Sequence, residues 1–335
     1  MSFARALYRP RPTSPLQCTE HDERGRLGDS GVTRQQALLT HASLLLVAFV
    51  WGATFVAVRY LLRTISPTSV LLLRVELASI CFALMIALSW KIYPRFPAVI
   101  WRRLVLISIF GVLAHNLAIT YSQTFITAGL ASLLGATNPI FTALFSAALI
   151  GETLTRRKIS GIFLAFFGFL VVLLLGGGNA RFSADNLLGA AILMGSPIGW
   201  ALYTVLSKPL IGRYEPRFIA ATTTVLGGVM FLPLLVVDHG VLTAPAKLNL
   251  LGWGATLTMS VLSMFIGYML WNRGLRTLEA TQVAVYMYMT PFFGLLLAWL
   301  LLDESISAWM LLGGATIVAG VVVTNSGRRA AARND

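Results

Sequence analysis

Two charged residues, Arg74 and Glu76, lie inside one long apolar segment. A charge in an apolar segment is costly, so such residues are candidates for a function or for a buried pair. Two positions apart, they face different sides of a helix and cannot pair with each other. Glu76 lies deeper, and we interpret it as a candidate proton-responsive coupling group; the alternative is a neutral or paired carboxylate between helices. Arg74 lies about 10 Å along the helix from Pro67, from where its side chain could also extend toward water.

Aromatic and polar side chains recur near the middle of the apolar segments. Pockets for small molecules combine apolar walls with a few placed polar groups, and this set could supply both. A single residue of this kind also fits a hydrogen bond between helices or an anchor at a membrane interface. Trp271 is left out because it lies nearer the end of its predicted helix. The candidate pocket residues are Trp51, His115, Asn116, Tyr121, Asn138, Trp200, Tyr203, Tyr268, Tyr286 and Tyr288.

The sequence contains no pattern typical of a metal site or a catalytic centre. Its four histidines lack metal-ligand spacing, and Cys18 and Cys81 do not predict a disulfide. No acid/base, nucleophilic or metal-binding residues cluster near one interface, and no Gly-rich phosphate loop follows a strand. We therefore predict no catalytic residues, no metal, no cofactor and no built-in ATP-driven motor. We keep an integral-membrane enzyme as one alternative interpretation of the whole sequence, from a different functional class than the transporter considered below.

The composition is that of a chain that folds in a lipid bilayer. Hydrophobic residues make up 57% of the 335 residues and charged residues only 12%, far from the balance of a soluble domain. The net charge of +13 could suggest nucleic-acid binding, but the basic residues lie in short segments between apolar runs. That placement sets orientation in a membrane. We expect membrane lipid and a small-molecule substrate as partners and no nucleic acid, and the oligomeric state is left open.

Apolar runs of about 20 residues predict ten transmembrane helices, because that length crosses the hydrocarbon core and a helix satisfies its own backbone in lipid. The polar residues 1–38, with three prolines, are predicted to be a disordered tail, and 326–335 are predicted to be a second tail. The predicted spans are 40–60, 67–90, 103–122, 127–149, 158–176, 186–208, 216–238, 249–272, 280–302 and 306–325.

The distribution of Lys and Arg predicts the orientation of these spans. One side carries most of the 26 basic residues, including six in the N-terminal tail, and the other has only Arg59, Arg63, Arg181 and Lys247. Cytoplasmic segments are the ones enriched in Lys and Arg. Both termini are therefore predicted to be cytoplasmic in a bacterial-type inner (plasma) membrane.

The chain resembles itself, which predicts an internal repeat. A shift of 152 residues aligns Trp101 with Trp253 and Pro139 with Pro291, and near the start of each half a shift of 149 aligns Trp51 with Trp200. The predicted repeats, 39–176 and 186–325, contain five spans each. Because five is odd, the second copy must enter the membrane the other way up. We also interpret Pro139 and Pro291 as helix breaks, which are tolerated in a span where they line a cavity.

The charges agree with such an inversion. Arg102-Arg103 correspond to Gly254-Ala255, and 156–158, which are all basic, correspond to the uncharged 308–310. Conversely, the connection 209–216 has Arg213, where its counterpart 60–67 has no basic residue at the matching position. The basic clusters at 102–103 and 156–158 therefore occur only in the copy in which they would be cytoplasmic, and we predict an all-α membrane protein of two inverted five-helix repeats.

At these residues the sequence resembles the EamA family of the drug/metabolite transporter superfamily. The resemblance covers about residues 42–325 and departs from the family pattern at Asp303, where a glycine is usual. It implies ten helices, cytoplasmic termini and export of amino acids or related metabolites. The matching residues are Trp51-Gly52 with Phe55; Ala128 through Pro139 to Gly151-Glu152, Gly161 and Gly168; and Ala280 through Pro291 to Asp303-Glu304, Gly313 and Gly320.

Inverted repeats are the architecture of secondary transporters, which bind substrate between the halves near the bilayer midplane. We therefore expect a secondary transporter that exports a small metabolite by alternating access around a central cavity. The aromatic candidates favour amino acids, including those with aromatic or apolar side chains. A multidrug or cation exporter is the alternative that Glu76 leaves open, because such a protein needs a deep acidic group.

Overall fold

The computed structural model describes residues 34–126, 128–175, 184–302 and 308–325, and every regular element in these ranges is a helix. We call residues 34–175 the N-terminal half. Two π-helical segments, Ile109–Ala114 and Ser146–Ile150, join α3 to α4 and extend α6. The α-helices of this half are α1 (Arg34–Leu61), α2 (Pro67–Leu88), α3 (Ala98–Ser108), α4 (His115–Phe125), α5 (Ala128–Gly135), α6 (Asn138–Phe145) and α7 (Arg156–Leu175).

The C-terminal half, residues 184–325, follows the same order with a short helical connection added. The 3₁₀ turns Ala244–Lys247 and Val285–Tyr288 and the π-helical segment Thr258–Ile266 lie between its α-helices. These α-helices are α8 (Ala184–Ile211), α9 (Pro216–Phe231), α10 (Leu234–Val237), α11 (Gly240–Thr243), α12 (Leu250–Leu257), α13 (Gly267–Thr277), α14 (Ala280–Ala284), α15 (Met289–Leu302) and α16 (Ala308–Asn325).

Six helical stretches of the described residues are long and apolar enough to cross a membrane. Two shorter apolar stretches, Asn138–Ile150 and Leu311–Thr324, accompany them. Together these lengths establish a multi-pass membrane protein. The six stretches are Gln35–Leu61, Pro67–Leu88, Ala98–Phe125, Leu188–Ile211, Pro216–Val237 and Leu250–Thr277.

Proline sets several helix boundaries. Pro67 and Pro216 occupy the first turns of α2 and α9, where their missing N–H groups have no intrahelical acceptor to lose. Ser66 caps α2 by accepting a hydrogen bond from the Ser69 amide at 3.1 Å. The prolines therefore place the starts of two counterpart helices, one in each half.

The predicted spans 127–149 and 280–302 are each interrupted near the middle. In the first, α5 ends at Gly135 and α6 begins at Asn138, with Pro139 in its first turn. In the second, a 3₁₀ turn precedes α15, whose first turn contains Pro291. A proline cannot donate the backbone bond of a continuous helix, so the preceding turn departs from α geometry.

Helix α1 begins at Arg34, within the predicted tail 1–38. Gln35, Gln36, Ala37 and Leu38 all have good helix propensity and continue the apolar helix at its N-terminal end. Residues 1–33 and the predicted second tail, 326–335, lie outside the described residues.

The two halves pack with matching contacts. Helix α1 lies against α12 and α13 of the other half, and α8 lies in the same way against α3 and α4. Counterpart helices also contact each other directly, α2 against α9 and α7 against α16. The first helix of each half thus reaches into the other half, and the molecular centre is built from both.

Glycines bring α7 and α16 into backbone contact. A Cβ at Gly168 would stand 2.7 Å from the Gly313 carbonyl oxygen, and a Cβ at Gly320 would stand 2.4 Å from the Ala165 nitrogen. Only a residue without a side chain fits such spacing, which is how small residues drive helix association in lipid. This crossing joins the last helices of the two halves.

Candidate functional site

An aromatic cluster occupies the centre of the molecule, where α1, α8 and α13 meet. The Trp51 ring meets Trp200 edge to face with centroids 5.1 Å apart, and Trp271 lies 4.9 Å from Trp51. Trp200 stacks on Tyr203 at 4.6 Å and contacts Tyr268 at 4.7 Å. Edge-to-face and stacked contacts at these distances fix ring orientations, so the cluster is a rigid wall rather than a loose apolar filling.

Two features position Trp51 in this wall: the neighbouring Gly52 and a hydrogen bond from the indole to a main-chain carbonyl. A Cβ on its neighbour Gly52 would lie 2.7 Å from the Thr290 carbonyl oxygen, so α1 passes directly over the start of α15. The Trp51 Nε1–H donates to the Ser263 carbonyl at 3.2 Å, in the π-helical segment before α13. A π-helical turn leaves carbonyl groups outside the regular ladder, and here one of them orients a ring from the other half.

A pocket lies beside the cluster and draws its walls from both halves. It contains about 450 Å³ of empty space, including the open space at its mouth. Apolar and aromatic surfaces dominate, with a few polar groups among them, which is the composition of a small-molecule site. The lining residues are Trp51, Thr54, Phe55, Arg74, His115, Ile119, Gly135, Asn138, Ser196, Pro197, Trp200, Ser263, Tyr268 and Met287.

Arg74 is the charged residue among these lining groups. Its side chain is buried, and its Nε and Nη1 atoms have no hydrogen-bond partner. His115 and Tyr268 are its electrostatic neighbours. The guanidinium therefore does not extend to an interface, and the structure favours the intramembrane alternative for this residue.

Hydrogen bonds orient two more polar groups in the wall. Nδ1 of His115 lies 2.9 Å from the Ser196 hydroxyl, and the His115 ring lies against Trp200 with centroids 5.2 Å apart. Asn138 donates from Nδ2 to the Pro197 carbonyl at 2.9 Å. Both contacts join the N-terminal half to α8, so the polar wall also spans the boundary between the halves.

The pocket brings together five of the ten candidates from the sequence: Trp51, His115, Asn138, Trp200 and Tyr268. Tyr203 and Asn116 lie just behind this wall. The Tyr203 hydroxyl accepts from Asn272 at 2.9 Å while its ring supports Trp200, and the Asn116 amide donates to the Val112 carbonyl at 2.7 Å.

The remaining three candidates lie elsewhere. The Tyr121 hydroxyl is 2.8 Å from that of Thr68, and the Tyr286 hydroxyl is 2.5 Å from Nδ1 of His41. The Tyr288 ring contacts Phe166 of α7. These tyrosines make contacts between helices, which the sequence patterns alone could not separate from a pocket position.

Glu76 is half-buried and outside the pocket lining. Its Oε2 atom faces α9, where a Cβ on Gly228 would lie 3.1 Å from it, and Oε1 is buried without a hydrogen-bond partner. The coupling candidate therefore lies in the contact between the counterpart helices α2 and α9.

Outside the pocket lining, the buried Lys158 forms an ion pair that joins the two halves. Lys158, at the start of α7, pairs with Glu152 at 3.3 Å and with Glu279, the residue before α14. Glu152 also accepts from the Thr281 amide at 3.4 Å. Its carboxylate thus meets the N-terminus of a helix in the other half; its sequence counterpart, Glu304, lies outside the described residues.

Sequence reasoning missed several residues of the site. Trp271 was set aside as terminal, yet it is buried against Trp51 and donates from Nε1 to the Thr204 hydroxyl at 3.1 Å. Ser196 and Ser263 line the pocket and carry no pattern that distinguishes them from other serines in apolar helices. Trp271 had a signal, since it is one of only eight tryptophans and lies three residues from Tyr268 on the same helical face.

Within the described residues, no group of three or more His, Cys, Asp and Glu side chains could hold a metal ion. The chemistry that this arrangement supports is binding of a small molecule between aromatic surfaces and a few polar groups.

Known proteins similar to this chain are membrane transporters. "Uncharacterized transporter" from Archaeoglobus fulgidus is 29% identical over 84% of this chain and 96% of its own length. "Probable terminal-alkyne amino-acid exporter" from Streptantibioticus cattleyicolor is 30% identical over 84% and 92%. "Probable amino-acid metabolite efflux pump" from Escherichia coli is 27% identical over 85% and 94%.

A solved structure and a family model complete the comparison. A crystal structure of a protein with 18% sequence identity superposes over 89% of this chain and 99% of that one with a TM-score of 0.69, which shows the same fold. The model of the EamA-like transporter family matches twice, over residues 38–174 and 187–326. The resemblance found in the sequence is confirmed, and the chain belongs to the EamA-like transporter family.

Proposed function

We propose that this protein is a secondary transporter that exports amino acids, including those with aromatic or apolar side chains. The observation that carries the proposal is the pocket between the halves, walled by Trp51, Trp200 and Tyr268 and supplied with polar groups by His115 and Asn138. Aromatic walls suit an apolar side chain, and the polar groups suit the ends of a zwitterion. One relative is named as a probable terminal-alkyne amino-acid exporter and another as a probable amino-acid metabolite efflux pump, which supports amino acids or their derivatives as the substrate class.

The proposal includes ten transmembrane helices arranged as two inverted five-helix repeats. Hydrogen bonds support it at single-residue level: Arg59 donates to the Gln123 carbonyl at 2.6 Å, and its counterpart Lys208 donates to the Leu275 carbonyl. The shift of 152 that aligns the two prolines also pairs Gln123 with Leu275. The matching packing of α1 and α8 supports the same two-fold relation.

The orientation follows from the basic residues. Arg156, Arg157 and Lys158 precede α7 in a cluster, and cytoplasmic connections are the ones rich in Lys and Arg. We place both termini and the Lys158 ion pairs on the cytoplasmic side of a bacterial-type inner membrane. Opening the pocket toward the cytoplasm then requires the separation of Lys158 from Glu279, which belong to different halves.

A multidrug or cation exporter is less well supported. The charged residue in the pocket wall is the cation Arg74, which repels cationic cargo, whereas Glu76 lies outside the lining. Membership of a transporter family also points away from an enzyme.

Reconstitution tests the proposal. Liposomes containing the purified protein are loaded with labelled phenylalanine, leucine or glutamate, and release is followed with and without a pH gradient, with protein-free liposomes as control. We expect faster release of phenylalanine and leucine. Transport of organic cations without transport of any amino acid would favour the multidrug alternative, and turnover of a lipid substrate without transport would favour an enzyme.

A further inference from the structure

Arg74 combines burial, an unsatisfied charge and a place in the pocket wall. The residue is only 3% exposed, and its Nε and Nη1 atoms have no hydrogen-bond partner. Among the described residues no carboxylate forms an ion pair with it, and the nearby Glu76 faces Gly228 of α9 instead. A guanidinium taken out of water without a partner is costly. A partner from outside the protein would remove that cost.

The neighbouring wall offers further unsatisfied polar atoms. Trp200 Nε1 and Ser263 Oγ are also buried without hydrogen-bond partners, and both residues line the same pocket as Arg74. Two N–H groups of a guanidinium match the two oxygens of a carboxylate in a planar, charge-assisted pair. The indole N–H and the hydroxyl can donate to any oxygen acceptor that enters beside it.

We propose that Arg74 binds a carboxylate of the transported molecule, so that the cargo is a carboxylic acid with an apolar or aromatic remainder. This inference rests on the proposed function and specifies which chemical group the site recognises. One cation balances one carboxylate, whereas a phosphate would require more positive charge than this wall contains. The aromatic faces of Trp51, Trp200 and Tyr268 then cover the apolar remainder of the cargo.

Ligand binding can be measured without transport, because two tryptophans lie in the pocket wall. Intrinsic tryptophan fluorescence of the purified protein is titrated with 3-phenylpropionate and with its neutral amide, and then with phenylalanine and phenylalaninamide. We expect each acid to bind at least about tenfold more tightly than its amide, since a hydrogen bond to a charged group is worth about 1.5–3 kcal/mol. Equal binding of acid and amide, or no binding of any acid, would overturn the inference.

Variants assign the discrimination to the residue. Arg74→Gln should bind acid and amide equally, and Arg74→Lys should keep the preference for the acid but weaken acid binding about tenfold, because the paired geometry is lost. Arg63→Gln, which removes an exposed arginine, is the matched control and should behave as the wild type. A preference for the acid that persists in Arg74→Gln would contradict the assignment; if that variant does not fold, the comparison of wild type with Arg74→Lys decides.

The inference and the proposed function can fail separately. Carboxylate binding that depends on Arg74, in a protein that moves no amino acid across liposomes, would leave the inference standing and remove the proposed function. Transport of an amino acid and of its amide at equal rates would leave the proposed function standing and remove the inference.

Discussion

Glu76 illustrates how a single residue can act on helices rather than on a ligand. Its carboxylate lies against α9 beside Gly228, and its Oε1 atom has no hydrogen-bond partner. A charged carboxylate at that contact needs water or a donor, whereas a protonated one fits an apolar surface. We therefore predict that protonation of Glu76 changes how closely the counterpart helices α2 and α9 pack.

We predict that Glu76→Gln uncouples transport from the proton gradient. The amide mimics the protonated acid permanently, so exchange of substrate across equilibrated membranes should continue while stimulation by a pH gradient disappears. Paired uptake measurements in liposomes, with and without the gradient, test this. An unchanged response to the gradient would remove Glu76 from coupling.

The sequence alone identified some residues of the pocket wall and could not distinguish others from residues that only join helices. Residue type and depth selected five of the fourteen residues that line the pocket, among them Trp51 and Trp200, which are counterparts near the centre of matching helices. The same criteria could not tell that Tyr286 bonds to His41 or that Tyr121 bonds to Thr68. Which face of a helix meets the cavity depends on its rotation, and all-round apolar helices carry no periodic signal for it.

Among elements, the crossing of α7 and α16 depends most directly on residue size. The backbones approach closely at Gly161, Gly168 and Gly320, and at each of them a Cβ would come within 3 Å of at least one main-chain atom of the other helix. Packing between helices in lipid rests on such close approach, since lipid chains are as apolar as the side chains they replace.

Gly168→Ala should lower the thermal stability of the purified protein. The added methyl group would stand 2.7 Å from two backbone atoms of α16, and forcing the helices apart typically costs about 1–3 kcal/mol. Gly254→Ala is the matched control: it lies in α12 with no atom within 4 Å of its would-be Cβ, so its midpoint should not fall. Midpoints measured by fluorescence-detected size-exclusion chromatography after heating compare the two; equal midpoints would contradict the close crossing.

The sequence predicted where the apolar helices begin, but not where their geometry changes from α-helical to π-helical. The predicted first residues of α2 and α9 agree with the structure, because a proline begins each apolar run, whereas α9 ends at Phe231, well before the predicted end at 238. The π-helical segments at 109–114 and 258–266 have no sequence signature, since they arise from tertiary contacts such as the bond between Trp51 and the Ser263 carbonyl.

For the whole molecule, the ion pair of Lys158 and Glu279 joins the two halves. The lysine is buried and belongs to the N-terminal half, while the glutamate precedes α14 in the C-terminal half. We predict that the proposed alternating access, by rocking of the halves, separates this pair once per cycle.

Tethering the two positions should therefore arrest transport. In a background without native cysteines, Lys158→Cys and Glu279→Cys are joined by a reducible thiol crosslinker. The linker is chosen to span the distance that the lysine and glutamate side chains bridge in the ion pair. We expect release of substrate from liposomes to stop after crosslinking and to return after reduction. Each single-cysteine variant treated with the same reagent is the control, and full transport by the crosslinked protein would exclude opening at this boundary.

The difference between Arg74 and its counterpart has an evolutionary consequence. At the matching place in α9 stands Thr223, whose hydroxyl bonds to the Ile219 carbonyl of its own helix and contributes nothing to the pocket wall. The matching packing of the two halves therefore does not constrain which residue stands at position 74. With the role proposed for Arg74, a descendant of this protein can acquire a different cargo by replacing one side chain in one half, without a change in the contacts that join the halves.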